Sequence, residues 1–323
     1  MKILLVTNMY PTTESPYYGI FVAEQEKALK RIYPDIEIDV FFIDGRKGYM
    51  EYFRSIFSIN QKIRNQKYDL IHIHYGLSGL FLLLPFRSHT PSVIITLHGG
   101  DIQAEQGKNI QVLLTKKILK HADFAITLNE RMDSLVQRFC PLTACIPCSV
   151  DTSLFTPSLK TNSIRKISRP VIVFPSSHTR MVKNYPLFLQ TMEILKSEYD
   201  LDCQEIEICN MSRQQVAEAY QRADAMLMTS ISEGSPQVVK EAMACNLPVV
   251  STPVGDVNVL LKGVAGCAVS QKHDSRELAK LLYASLNGQI SGVSPREKIM
   301  QLGLDEKSTC EAIKNIYQSC ISH

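Results

Sequence analysis

Several familiar signatures are missing from this 323-residue sequence. There is no G-x-G-x-x-G and no P-loop, which argues against a nicotinamide enzyme or a kinase. No G-x-S-x-G elbow supplies the nucleophile of a serine hydrolase. Long hydrophobic runs are absent too: the longest, Leu77 to Phe86, is broken by Pro85 and falls well below the ~20 residues a spanning helix needs. Ile3-Leu4-Leu5-Val6 is too short for a signal-peptide core, so no targeting segment is expected. Charge of one sign is scarce. The net charge is +3, all of it in residues 1–150, with 151–323 balanced at zero, far short of a nucleic-acid binder.

Metal and redox patterns are equally thin. Nine cysteines, an odd number without framework spacing, fit reduced thiols in a cytoplasm. Cys145-Ile146-Pro147-Cys148 is formally a C-x-x-C, but Ser149-Val150-Asp151 follows with no helical pattern, and no second pair completes a zinc site. Asp200-Leu201-Asp202 is formally a D-x-D, placed at the end of a helix with no strand before it. No metal and no cofactor is expected.

What the sequence has is alternation. Apolar runs of strand length recur at Lys2–Thr7, Asp39–Ile43, Leu70–His74, Val93–Leu97, Phe124–Leu128 and Ala144–Ile146, most of them separated by helical stretches such as Ile20–Arg31. Uninterrupted apolar strands alternating with helices predict a parallel sheet covered on both faces. Residues 152–170 are polar, contain Pro and Ser and carry no period, which reads as a linker. The pattern then restarts, with strands at Val171–Phe174, Glu205–Cys209, Ala225–Thr229 and Val249–Ser251. The prediction is two Rossmann-like α/β domains, 1–151 and 171–304, facing a cleft, and a last amphipathic helix in 305–323 that returns to the first domain. Ligands of such sheets bind beyond the carboxyl ends of the strands.

The most informative stretch is Ser230 to Asp256. Ser235 is a preferred N-cap and Pro236 suits the first helical position. Val238, Val239, Ala242 and Met243 form one apolar stripe, and Asn246 and Pro248 end the helix before the strand Val249-Val250. Glu233 on the loop and Glu241 on the helix are left without a packing role. Glu233 could simply complement the helix dipole, worth roughly 0.3–1 kcal/mol, and Glu241 could be a solvated residue. Together with Gly234, which lets backbone approach a ligand, and free N–H donors at a helix start, two carboxylates also suit the vicinal hydroxyls of a sugar and a ribose.

Glu233-Gly234-Ser235-Pro236 followed by Glu241-Ala242-Met243-Ala244 resembles the E-x7-E motif of the retaining glycosyltransferases of family 4, of the bacterial polysaccharide-building type. The resemblance runs over essentially the whole chain and implies the GT-B fold. It implies that Glu241 holds the donor ribose and Glu233 the sugar hydroxyls, with Gly234, Ser235 and Pro236 beside the donor. Gly19, in the loop after the first strand, then meets the donor phosphate.

Two further loops fit this scheme. His98-Gly99-Gly100-Asp101 closes a strand and is similar to the family's H-G-x-D loop, which places His98 at the transferred sugar and Asp101 in loop ordering or acceptor contact. A polar residue ending a strand is the competing explanation. His72 and His74 alternate along the preceding strand, and His74 is expected near the cleft. Pro175 to Asn184 brings Arg180 and Lys183 to a strand's carboxyl end, where cations stabilise a departing diphosphate. The family's Arg lies five residues before the Lys; here that position is His178, a stand-in for it, and Arg180 is three before. The family's Gly-rich turn is replaced by Asn210-Met211-Ser212, the second domain looks about one strand–helix unit short, and Cys148-Ser149-Val150-Asp151 replaces the usual Asn-Gly-Val-Asp.

Arg46 to Lys67 interleaves basic residues with Tyr49, Tyr52, Phe53, Ile56, Phe57, Ile59 and Ile63. Packing on the sheet is the favoured role for this stripe, and contact with the inner face of a membrane the second. The expected activity is transfer of a hexose-type sugar from a nucleoside-diphosphate sugar to a glycan or lipid-linked acceptor, in cell-surface polysaccharide or glycolipid synthesis. A binding-only relative and a glycoside hydrolase, whose two carboxylates stand ~5–10 Å apart, are the alternatives.

Overall fold

Short runs rich in Ile, Val and Leu become strands because their side chains find cover on both faces. A computed structural model describes residues 1–15, 17–84, 91–103, 109–158 and 169–321. The chain divides into two units, Met1–Cys148 with the stretch from Glu306 onward, and Ser149–Asp305.

Among the described residues the first unit holds six parallel strands: β1 (Lys2–Thr7), β2 (Glu37–Phe42), β3 (Leu70–His74), β4 (Ser92–Thr96), β5 (Phe124–Thr127) and β6 (Thr143–Cys145), in the order β2-β1-β3-β4-β5-β6. Alternate residues of each strand face opposite sides. Leu4, Val6, Ile71, Ile73, Val93 and Ile95 pack with Tyr52 and Ile59 of α2 (Met50–Asn65) and with Ile118 of α3 (Asn109–Leu119). Ile3, Leu5, Leu70, Ile94 and Ile126 pack on the other face with Val22 and Leu29 of α1 (Ile20–Ile32). A short helix α4 (Glu130–Val136) links β5 to β6.

The second unit holds β7 (Val171–Phe174), β8 (Gln204–Glu207), β9 (Ala225–Met228), β10 (Val249–Ser251) and β11 (Ala268–Val269), parallel in the order β11-β10-β9-β7-β8 among the described residues. One face is covered by α5 (Tyr185–Tyr199) and later by α9 (Ser275–Leu286), through Phe188, Leu195, Leu278 and Leu282. The other carries α6 (Arg213–Arg222), α7 (Gln237–Ala244), α8 (Val257–Leu260) and α10 (Pro295–Gln301), through Tyr220, Val239, Met243, Leu260 and Ile299. Phe155 is fully buried in this second core, and the Arg296 guanidinium donates to the carbonyls of Thr152 and Phe155, each at 2.7 Å. Residues 152–158 of the expected linker therefore pack within the second unit, while 159–168 lie outside the described residues.

The last helix, α11 (Glu306–Ile321), lies in the first unit. Cys310, Ile313 and Tyr317 enter the same core as α1, the Arg31 guanidinium pairs with Glu306, and Ser92 Oγ donates to the Cys320 carbonyl at 2.7 Å. None of the nine cysteines is joined in a disulfide.

Candidate active site

In the second unit, β7 and β9 each end in a loop, and backbone joins the two loops: Ile231 N–H donates to the Val182 carbonyl at 2.8 Å. Thr229 Oγ donates to the Lys183 carbonyl at 2.9 Å, fixing the residue from behind. Lys183 is nearly buried, and its ammonium meets Glu233 Oε1 at 2.5 Å. The structure thus brings together two expected site residues fifty positions apart in the chain. Arg180 is exposed. His178 is turned toward β8: its Nε2 lies 2.6 Å from Glu205, its Nδ1 3.6 Å from Glu207, and its ring stacks on Tyr185 with centroids 3.7 Å apart. That histidine is committed to protein carboxylates.

One local expectation is corrected. Ser235 does not cap α7. Pro236 holds the cap position, with no side-chain cap bond, and the helix starts at Gln237. The Ser235 hydroxyl donates to Asp256 Oδ2 at 2.6 Å, a charge-assisted bond that ties the loop before α7 to the loop after β10. The first turn of α7 is left without a side-chain cap, as an anion or hydroxyl site requires. Gly234 has open space where a Cβ would stand. Gly255 does not: at φ +56° its Cβ would sit 2.4 Å from the Gly234 carbonyl oxygen, so glycine there lets the two loops touch.

The solvated reading of Glu241 is also overturned. Its residue is 3% exposed, and its Oε1 accepts from the Arg213 guanidinium at 2.8 Å. Burial raises its pKa, against the pull of Arg213. Lys240 beside it is fully buried, not solvent-facing.

In the first unit, Gly19 precedes α1 at φ +65°, and a Cβ would meet the Met9 carbonyl carbon at 2.2 Å. The loop after β1 folds tightly on that absence. Beyond β4, Asp101 is wholly buried and accepts from three backbone amides: Gly76 at 3.0 Å, His98 at 3.1 Å and Gly99 at 3.0 Å. Burial pushes its carboxyl to about 6, with those donors pulling down. Asp101 is the loop's organiser.

His98 Nε2 lies 3.1 Å from His74 Nδ1, their rings stacked at 5.3 Å, so one of the two carries the shared N–H. Burial lowers His98 to about 4 and His74 well below the ordinary histidine value. Both are neutral at pH 7. His72, on the same strand, bridges Tyr317 of α11 and Thr96 of β4, at 2.7 Å each.

Arg213, Gly255 and Asp256 were not singled out from sequence, nor was the Tyr317–His72 contact. Arg213 follows a capping serine and reads as a solvated first-turn residue; its partner lies 28 residues on. Gly255-Asp256 did offer a signal, a glycine–acid pair at the end of a strand.

Residues 13–129 match the glycosyl transferase 4-like domain, and residues 195–287 match the glycosyl transferases group 1 domain. The chain is a glycosyltransferase by both of its domains. It is 24% identical over 270 residues to a D-inositol 3-phosphate glycosyltransferase of Xylanimonas cellulosilytica, covering 68% of this chain and 64% of that one. It is 23% identical over 326 residues to the putative teichuronic acid biosynthesis glycosyltransferase TuaC of Bacillus subtilis, covering 80% and 83%. Among solved structures, sucrose-phosphate synthase from Thermosynechococcus elongatus aligns at TM-score 0.79 and 16% identity, covering 99% of both chains. Anabaena HepE in complex with UDP aligns at TM-score 0.71 and 15% identity, covering 99% of this chain and 100% of that one. The architecture of this glycosyltransferase is GT-B, two parallel-sheet α/β domains.

Proposed function

We propose that this glycosyltransferase moves a hexose-type sugar from a nucleoside-diphosphate donor to a glycan or lipid-linked acceptor, with retention of anomeric configuration, in cell-surface polysaccharide or glycolipid synthesis. The observation that carries the reading is the Lys183–Glu233 pair, 2.5 Å apart, beside a helix start without a side-chain cap. A cation, a carboxylate and open N–H donors suit a diphosphate joined to a polyol. Glu233 would accept from sugar hydroxyls and Glu241 from the ribose, completing E-x7-E. Lys183, with Arg180, would take up charge as the sugar–phosphate bond breaks. With no protein nucleophile assigned, the departing phosphate itself takes the acceptor's proton. His98, neutral and held by His74, orients the sugar, and Asp101 keeps its loop in shape.

Two relatives support the acceptor class: one is named for teichuronic acid biosynthesis, and another, of Escherichia coli, for galactosyl transfer to a GlcNAc-diphosphoundecaprenol. The first unit supports a membrane-facing acceptor. Tyr52, Ser55 and Ile59 of α2 face the core, while Tyr49, Met50, Phe53 and Phe57 are exposed; Arg46 and Lys47 pair with Asp44, and Arg54 with Glu51. No helix among the described residues is long and apolar enough to cross a membrane. An exposed aromatic helix face fits the interface of a bilayer.

The test is a thermal-shift screen against UDP-, GDP-, ADP- and dTDP-sugars without added metal, followed by transfer assays on Glu233→Ala. A ligand that binds only the folded state raises its melting temperature. Unchanged turnover in Glu233→Ala would remove that residue from the mechanism.

A further inference from the structure

Arg213 is the first residue of α6, directly after the Ser212 cap. A cation there meets the positive end of the helix dipole, so the position disfavours arginine unless something else holds it. Two contacts do. Its guanidinium donates to Glu241 Oε1 at 2.8 Å, and its plane lies over the Phe155 ring, 4.8 Å from the centroid. Phe155 is itself fully buried and packs against Tyr220 of the same helix, with centroids 6.2 Å apart. The arginine is clamped between a ring and a carboxylate, and the carboxylate belongs to a helix whose first turn has no side-chain cap.

We propose that Arg213 is a positioning residue of the donor site, fixing the Glu241 carboxylate from α6. The inference rests on the reading of Glu241 as the ribose ligand.

The physical case is the cost of burying a carboxylate. An uncompensated buried acid takes up a proton, and a protonated carboxyl loses acceptor capacity for two neighbouring hydroxyls. Burial raises Glu241, and the charge and hydrogen bond of Arg213 oppose it most strongly. Lys240, on the same helix, pulls in the same direction but less. Tyr220 of α6 is pushed well above its ordinary value and stays neutral. Cys245, at the end of α7, is pushed to about 12 and stays a thiol. Arg296 of α10 spends its guanidinium on the Ala244 carbonyl at 2.6 Å and on the carbonyls of Thr152 and Phe155. Arg213 donates to the carboxylate itself, and its planar fork can hold an oxygen and stack on a ring together, which lysine cannot do.

Four forms of the full chain test this: wild type, Arg213→Ala, Arg213→Lys and Glu241→Gln. Two readouts are needed, calorimetric binding of UDP and GDP between pH 5.5 and 8.5, and the carboxyl carbon resonance of Glu241, assigned by its loss in Glu241→Gln. In Arg213→Ala the Glu241 titration midpoint should move to higher pH, and nucleotide affinity should fall roughly tenfold at low pH and recover in part as pH rises. Arg213→Lys should lie between it and wild type, and carries the test if Arg213→Ala does not fold. An unmoved midpoint, or an affinity loss independent of pH, would overturn the proposal. If Glu241→Gln binds like wild type, or if neither nucleotide binds wild type, the ribose reading fails and the donor-site role of Arg213 falls with it. If Glu241→Gln loses binding while Arg213→Ala keeps it at every pH, the inference about Arg213 alone fails.

Discussion

The Lys183 ammonium lies 2.5 Å from the Glu233 carboxylate, and the two side chains are only 10% and 15% exposed. Each neutralises the other in the absence of a third charge. An arriving diphosphate competes with Glu233 for Lys183, so the two single variants should behave differently. Lys183→Ala should weaken diphosphate binding and lower transfer by roughly 100-fold or more, the scale of losing one preorganised charge at a reacting group. Glu233→Ala should lose transfer yet bind UDP or GDP at least as tightly as wild type, because the competitor for the ammonium is gone. Calorimetry with each nucleotide alongside transfer assays checks both. Equal loss of binding in the two variants would make the pair a structural brace.

Stability should fall in mild acid, and the first unit should carry the effect. Burial lowers His72 to about 3 and His98 to about 4, and holds His74 well down. As pH drops below about 6.5, the unfolded chain takes up these protons and the folded chain does not. Asp101, raised to about 6, works in the opposite sense between about 6 and the ordinary carboxylate value near 4. Three histidines against one aspartate leave a net loss on acidification, at about 1.4 kcal/mol per pH unit for each unbalanced proton. Denaturant midpoints at pH 7.5, 6 and 5 measure it, and His72→Gln should flatten the dependence. A stability independent of pH across this range would contradict the buried, neutral assignment.

Three glycines near the candidate site should respond unequally to alanine. Gly19→Ala and Gly255→Ala each need a left-handed backbone and drive a Cβ into a carbonyl, at 2.2 Å and 2.4 Å. Each should cost about 1–3 kcal/mol or more. Gly234→Ala meets open space and should leave the melting temperature nearly unchanged. Any effect it has on turnover would then report close approach of a ligand rather than folding. A melting temperature lowered equally by all three substitutions would refute this distinction.

The exposed face of α2 should bind anionic vesicles. Sedimentation with phosphatidylglycerol liposomes at low salt should show binding through the exposed rings of α2. Phe53→Ala with Phe57→Ala should reduce the bound fraction about tenfold or more, since each buried ring is worth roughly 1.5–3 kcal/mol. Their melting temperatures should hold, because neither side chain is in the core. Wild-type protein that stays in the supernatant at low salt would end the membrane assignment.

Most of the strands and helices were legible because apolar periodicity records burial, and burial on both faces of a parallel sheet leaves long Ile/Val/Leu runs such as Ile3–Val6. The loops were legible in residue type but not in partner. Ser235 looked like a cap because serine before a proline suits one, but the helix starts one residue later, at Gln237, and the hydroxyl is held by Asp256 from another loop. Glu241 read as solvated because its helix neighbour is Lys240, while the guanidinium that pairs with it comes from another helix. His178 fitted a cation's place in the loop, and two glutamates on the edge strand β8 claimed it instead. Pairings across elements leave no period in a sequence.

The helix Glu306–Ile321 has a consequence for how the molecule is made. Residues 149–305 are contiguous, so the second unit can close as soon as they leave the ribosome. The first unit cannot: the sheet face bearing Ile3, Leu70 and Ile126 waits for Ile313 and Tyr317, which are translated after the whole of the second unit. The core of the first unit is therefore completed only after every residue of the second has been made, the reverse of the usual N-terminal-first order.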